Sequence, residues 1–265
     1  MKHTLFILLV LWLAGTAPGQ KQDLSLSLDI DMTLIPAGTI ELNGLEIHVN
    51  AFRMSEEITN REYREFIEAL KANPDDSMGV IDPDKITPEL DIRKSMTFYQ
   101  YGEILEKVTY SNGWGGEQDF ENYFYDEKYD DFPVAGVTYE SAKFFCLWKT
   151  QQINILRREK GLPQAAEFRL PTETEWMYAA KKADTDTEHV SQLRKVKSGE
   201  QNRLGLHNLN NNVSEWTGSQ SEEGLRIAKG SSWKQQTDIS HRMKRPEGFR
   251  DNATGFRVVM SVTEP

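Results

Sequence analysis

Cysteine is almost absent: the 265 residues hold one, Cys146. No intrachain disulfide can form, whatever the compartment. No pair of thiolates can come together on a soft metal ion. Cys146 sits in Phe144-Phe145-Cys146-Leu147-Trp148, an apolar setting that predicts a small buried hydrophobe, not a reactive thiol. Long apolar runs are equally scarce. The one present, Leu5–Ala14, is too short to span a bilayer as a helix. Lys2 and His3 precede it and Ala17-Pro18-Gly19 follows, so residues 1–19 read as a signal peptide, cleaved before Gln20. No cysteine follows the run, which excludes a lipoprotein anchor, and no second apolar run predicts a membrane span after cleavage.

Positive charge is in short supply. Lys and Arg number 31 against 41 Asp and Glu, a net charge of −10, and cleavage that removes Lys2 takes it to −11. An acidic surface argues against nucleic acid, which needs a basic face. It suits calcium or basic protein partners. Internal repeats, low-complexity tracts and a domain-splitting linker are all missing. The expected layout is a flexible start at 20–31 and a single domain over 32–263.

Local signals are clear at a few points. Thr33–Ile40 and Leu45–Phe52 read as strands joined by Asn43-Gly44, a hairpin turn signal. Thr59 with Glu62 three residues later forms a capping box, and Ile58 and Tyr63 are spaced for a hydrophobic staple across it. Tyr63, Phe66, Ile67 and Leu70 then mark the buried face of a helix. A second helix opens at Thr138 and stops near Gly161-Leu162-Pro163. A third opens at Thr172, with Glu175 closing another capping box and Trp176, Ala179 and Ala180 facing inward. Beyond Asp184 the chain reads mostly as loop, with short strands at Leu225–Lys229 and Phe256–Ser261.

The stretch from Ala72 to Asp131 is irregular and, in its later part, rich in tyrosine and tryptophan. Such a tract either packs against the body or presents a recognition surface. Trp114, Tyr123 and Tyr125 are the candidate partner contacts. The histidines that remain after cleavage, His48, His189, His207 and His241, show no i, i+4 pairing of the kind that ligates a metal on a helix.

Five segments occur in an order that resembles the sulfatase-modifying-factor superfamily, the fold of the formylglycine-generating enzyme. They are Phe132-Pro133-Val134-Ala135-Gly136-Val137-Thr138-Tyr139-Glu140-Ser141-Ala142; Phe168-Arg169-Leu170-Pro171-Thr172-Glu173-Thr174-Glu175-Trp176; Gly205-Leu206-His207-Asn208-Leu209; Asn211-Asn212-Val213-Ser214-Glu215-Trp216; and Thr254-Gly255-Phe256-Arg257-Val258. The resemblance implies an α+β, C-type-lectin-like fold with few helices, small antiparallel sheets and long loops. The stretch Asn122–Val134 is similar to a narrower branch, the gliding-motility and type IX secretion proteins of Bacteroidota.

In the enzyme, a copper-binding cysteine pair follows a Gly-Gly-Ser-aromatic step. Here that region reads Lys229-Gly230-Ser231-Ser232-Trp233-Lys234-Gln235-Gln236-Thr237-Asp238-Ile239-Ser240, with Gln235 and Ser240 at the corresponding positions. The resemblance therefore implies the fold without copper oxidase chemistry. It also implies one structural calcium, held by side-chain oxygens of Asn208 and Glu215 and by backbone carbonyls of Asn211 and Val213. Arg169 and Arg257 are expected to pair with carboxylates such as Glu175 within the loop packing. The expected function is an exported, non-catalytic binding or scaffold protein, periplasmic or at the cell surface. Its partners would be envelope proteins of a secretion or motility assembly. Two alternatives are an iron- or cofactor-dependent oxidoreductase of the same superfamily and a lectin-like binder of glycans or peptides.

Overall fold

The computed structural model describes residues 31–72, 123–163, 167–184, 190–246 and 248–262. Among them run β1 (Met32–Ile35), β2 (Gly38–Leu42), β3 (Leu45–Val49), β4 (Phe52–Ser55), α1 (Asn60–Ala72), a 3-10 turn (Glu127–Tyr129), α2 (Tyr139–Glu159), β5 (Phe168–Arg169), α3 (Glu173–Ala183), β6 (Ser214–Gln220), β7 (Arg226–Lys229), β8 (Met243–Arg245), β9 (Thr254–Phe256) and β10 (Val259–Ser261). Three helices and small, mostly antiparallel sheets make this a loop-rich α+β fold.

The first hairpin differs from the sequence expectation in a specific way. The strand expected over Thr33–Ile40 breaks at Pro36-Ala37 into β1 and β2, because proline cannot donate to a ladder. β1 then pairs with β4, while β2 pairs with β3 across Asn43-Gly44. Both turn residues have positive φ, 53° and 77°, as a type I′ hairpin requires. The break has a packing purpose. The Tyr178 hydroxyl of α3 donates to the Pro36 carbonyl, and a Cβ on Gly38 would overlap that same hydroxyl.

The helix starts follow the expected chemistry. Thr59 N–H donates to Glu62 Oε2 at 2.8 Å, and Glu62 N–H returns a bond to Thr59 Oγ1 at 3.2 Å. Thr138 caps α2, and Thr172 with Glu175 forms a complete capping box on α3. Gly161 ends α2 at φ 67°. Arg169 donates two bonds to Glu175, at 2.7 and 2.6 Å, the fork-to-carboxylate pairing its setting implied.

The chain beyond Asp184 is more ordered than its loop-like composition suggests. β6, the longest strand, lies where a ligand loop was expected, and it pairs antiparallel with β7 and parallel with β9. The strand expected over Phe256–Ser261 is interrupted at Arg257-Val258, giving β9 in one sheet and β10 in another. In its sheet, ordered β1-β4-β10-β5, β10 lies between strands from far earlier in the chain.

Among the described residues two large apolar cores result, with a smaller third cluster around Tyr123 and Val213. Tyr63 and Phe66 of α1 meet Phe145 and Trp148 of α2, with Phe256 and Trp216 below them. Trp176 and Ala179 of α3 pack against Ile35, Phe52 and Met54. Cys146 is buried in the first core, as expected, and burial pushes its thiol pKa far above the ordinary range.

Candidate functional site

The strand β4 ends at Ser55, and the chain turns into Glu56-Glu57 before α1 begins. Ser55 is pinned on both sides: its N–H donates to Val258 O at 2.9 Å, and its Oγ accepts from Val258 N at 3.0 Å. That clamp sets the two glutamates against Arg257, which lies in the bend between β9 and β10. The loop His207–Asn212 approaches from the other side. Asn208, Asn210 and Asn212 all take positive φ (53°, 72° and 63°), a conformation asparagine tolerates better than most residues.

Arg257 is the hub and is fully buried. Its Nε donates to Glu215 Oε1 at 2.7 Å, one terminal nitrogen to Glu56 Oε2 at 3.0 Å, and the other to His207 O at 2.6 Å. Trp176 Nε1 occupies the second Glu215 oxygen at 2.7 Å. His207 contacts Glu56 twice, through its backbone N–H and through Nδ1 at 2.7 Å. Glu57, 1% exposed, accepts from Asn208 Nδ2 at 3.0 Å and Asn212 Nδ2 at 3.1 Å.

Glu215 and Glu56 thus share one guanidinium, with the Glu57 carboxyl group close by. Burial alone would lower the Arg257 pKa, but Glu215, Glu56 and Glu57 outweigh it and raise it, so the cation is permanent. The balance falls differently at Glu57. Burial is the largest influence and pushes its pKa up to about 8, against the opposing pull of Arg257 and the two asparagine amides. Glu57 is therefore a neutral acid at pH 7 that can lose its proton just above neutrality.

Over this network lies a cleft of about 890 Å3, lined by Glu56, Glu57, Glu62 and Glu65 and by Lys195 and Lys197. Exposed ion pairs cross its mouth. Asp131 takes Arg61 at 2.6 Å and Lys195 at 3.4 Å, and Asp31 pairs with Lys197.

The loop after β7 is built around a second asparagine. Ser231 N–H donates to Asn210 Oδ1 at 3.0 Å, and Ser231 Oγ bridges to Thr237. Gly230, at φ 87°, passes so close to Trp176 that a Cβ would lie 2.9 Å from the indole. Trp233 donates from its backbone to Asn212 O at 2.8 Å and from Nε1 to Asn252 O at 3.0 Å. Gln235 and Ser240 both face solvent, and Cys146 lies in a different part of the molecule, within the first core.

The side-chain oxygens implied for calcium, those of Asn208 and Glu215, are engaged by other groups of the protein. Both Glu215 oxygens are taken by Arg257 and Trp176. Asn208 Oδ1 accepts from Arg194 Nε at 2.9 Å. Val213 is buried, its side chain in a small apolar cluster with Tyr123 and Tyr129. The positive charge beside Glu215 is the Arg257 guanidinium. Among the described residues no group of three His, Cys, Asp or Glu gathers as a metal site.

Of the expected partner contacts, Tyr123 is 1% exposed and its hydroxyl donates to Pro133 O at 2.6 Å. It is a packing residue and not a partner contact: its ring is locked among Tyr129, Phe132 and the α1 start, where Asn60 Nδ2 bonds to its carbonyl. Tyr125 is 37% exposed. Trp114 and His189 lie outside the described residues. Glu56, Glu57, His207 and Asn212 were not singled out by sequence reasoning. The available signal was two adjacent acids between an apolar strand and a capping box, a place where solvent exposure is not expected.

The family described as "Sulfatase-modifying factor enzyme 1-like domain" matches residues 27–195 and 183–262. The chain belongs to that family. A bovine (Bos taurus) relative named "Inactive C-alpha-formylglycine-generating enzyme 2" is 27% identical over 177 residues, 51% of this chain and 52% of the relative. The mouse (Mus musculus) protein of the same name is 25% identical over 252 residues, 78% of this chain and 74% of the relative. The chain thus spans about half the length of the first and three quarters of the second.

Solved structures share the fold at low identity. CarF superposes with a TM-score of 0.57 at 18% identity, covering 89% of this chain and 100% of that one. PvdO from Pseudomonas aeruginosa gives 0.53 at 16%, covering 87% and 94%. Treponema denticola variable protein 1 gives 0.51 at 17%, covering 87% and 95%. At these identities the likeness speaks for the fold alone.

Proposed function

We propose that this member of the sulfatase-modifying-factor family is an exported, non-catalytic frame that binds other proteins. The observation that carries the reading is the composition of the loop after β7. On the family resemblance Gln235 and Ser240 correspond to the enzyme's thiols; both are exposed, and the one cysteine of the chain is buried in the apolar core. Amide and hydroxyl groups do not hold monovalent copper, which needs soft sulfur donors. The relatives named inactive point the same way.

In this reading the network around Arg257 replaces a metal as the fastener of the loops. The partner side is the exposed loop from Gln235 onward with Tyr125. The partners are envelope proteins, in the setting of a secretion or motility assembly, reached through the N-terminal signal. The test is direct. Purified chain is incubated with copper, oxygen and a sulfatase-derived cysteine peptide, and the peptide mass is read. No aldehyde product is expected, and conversion of the cysteine would overturn the reading. Capture from native envelope by the wild-type chain, weakened by Tyr125→Ala, tests the partner surface; unchanged capture removes Tyr125 from it.

A further inference from the structure

β1 is the end strand of its sheet. Among the described residues no backbone bond of Met32–Ile35 falls outside the β1–β4 ladder, so the outer edge of β1 is unpaired. An open edge is a template for another strand, and β1 carries neither charge nor proline to blunt it. Its side chains alternate between two faces. Ile35 turns to the second core, while Met32, on the other face, packs against the first. Leu34 shares the Met32 face and is 49% exposed.

The start at 20–31, expected to be flexible, lies before β1, and residues 20–30 are outside the described ones. The sequence there is patterned. Leu24, Leu26, Leu28 and Ile30 alternate strictly with Asp23, Ser25, Ser27, Asp29 and Asp31. A period of two over this length is the signal of a strand with one covered face. Met32 and Leu34 continue the same parity, so the apolar positions from 24 to 34 fall on one face. Residues 20–35 contain no glycine, asparagine or proline, and no hairpin turn is signalled that would fold the segment back onto β1. The pattern extends β1 instead, by about 24 Å over Leu24–Ile30.

An open edge strand can pair antiparallel with its own copy about a two-fold axis. To keep every apolar side chain on one face, the axis must pass through a residue, since a shift by one flips the faces. Charge then selects the register, because like charges directly opposite are destabilising. Centred on Leu26, Asp23 meets Asp29. Centred on Ser27, Asp23 meets Asp31. Centred on Asp29, that residue meets itself, and centred on Ile30, Asp29 meets Asp31. Centred on Leu28, Asp29 faces Ser27, Asp31 faces Ser25 and Asp23 faces Thr33, while Leu26 faces Ile30 and Leu24 faces Met32. Only this centre keeps the aspartates apart and β1 within the ladder.

We propose that Leu24–Ile35 is one edge strand that pairs with a second copy of itself, antiparallel about Leu28, to form a two-fold dimer. The two sheets join edge to edge through β1, and the apolar row of each strand is shared with its mate. The dimer stands whatever the chain binds.

The chain from Gln20 onward is run by sedimentation equilibrium from about 1 to 100 µM. A species of twice the chain mass is expected. Leu28→Asp sets like charges opposite each other on the axis and should raise the dissociation constant about tenfold or more. Leu28→Lys should do the same, and an equal mixture of the two variants should dimerise again, because opposite charges then meet. Leu45→Asp, at a 67% exposed leucine of the β2–β3 hairpin, should change nothing. Should a Leu28 variant lose its thermal transition, removal of residues 20–30 carries the same expectation of a monomer. A wild-type monomer at every concentration would overturn the proposal, as would Leu28 variants that dimerise like wild type, a mixture no tighter than its components, or an equal loss in Leu45→Asp. A monomer whose amides at 24–30 resist hydrogen exchange would assign the segment to its own body and overturn it too.

Discussion

The proton on Glu57 should be visible as a stability gradient across neutral pH. Folding moves this carboxyl from an ordinary value of 4.5 to about 8, chiefly by removing it from water. An acid whose pKa rises on folding favours the native state while both states hold the proton. That contribution is complete below the unfolded value, declines as pH climbs between the two, and is gone above the folded one. The native chain holds the extra proton through this window, so stability falls as pH rises. A difference of about 3.5 pH units corresponds to roughly 5 kcal/mol, an upper figure because the cleft above admits water. Glu57→Gln has no proton to lose. It keeps an oxygen for the Asn208 amide and turns its own NH2 toward Asn212, a local cost that does not vary with pH. Urea denaturation from pH 5 to pH 9 should therefore show wild type losing several kcal/mol relative to the variant, with most of the change between pH 6 and 8. The comparison cancels the general strain of the acidic surface, which both proteins share. Curves that stay parallel within about 1 kcal/mol would refute the assignment, since buried charge without a proton would then be tolerated.

Three further outcomes follow from particular contacts. Arg257→Leu strips Glu215 and Glu56 of their cation and should cost about 3–5 kcal/mol, read as a lost or much earlier thermal transition; a change under 1 kcal/mol would mean the carboxylates are compensated elsewhere. Chelation with EDTA should leave the melting temperature within about 1 °C, because the positive charge at Glu215 belongs to the chain, and a fall of about 5 °C or more would restore calcium to the loop. Gly38→Ala should be destabilising by about 1–3 kcal/mol through overlap with the Tyr178 hydroxyl, and Tyr178→Phe should recover part of that loss in the double variant; strict additivity in denaturant titrations would show that the two positions do not touch.

The parts of the fold written in short-range chemistry were legible in the sequence. Thr59-Glu62 and Thr172-Glu175 fix two helix starts within a single turn, and Asn43-Gly44 admits one kind of turn. The Arg169 pairing with Glu175 was readable because both lie in one motif six residues apart. What escaped depends on partners far along the chain. β6 has no period-2 apolar pattern, since Ser214, Glu215 and Thr217 are buried by hydrogen bonds to Gly230, Arg257 and Ile227 rather than by hydrophobicity. Glu215 reads as a calcium ligand until Arg257, 42 residues later, is seen to hold it. Tyr123 reads as a surface aromatic until its hydroxyl is seen on Pro133. The Glu56-Glu57 pair carries no short-range sign of its partners, and only the return of Asn208 and Asn212 from over 150 residues away reveals a buried acid.

The position of β10 bears on the order in which the chain can fold. Val259–Ser261 slot between β4 and β5, so the middle of a sheet begun by Met32 is supplied by a strand from far later in the chain. Until that strand has been made and has docked, the earlier strands have a gap at their centre and the apolar surfaces beside it stay uncovered. Such non-local pairing is slow to form, and the interval before it leaves the polypeptide exposed to aggregation.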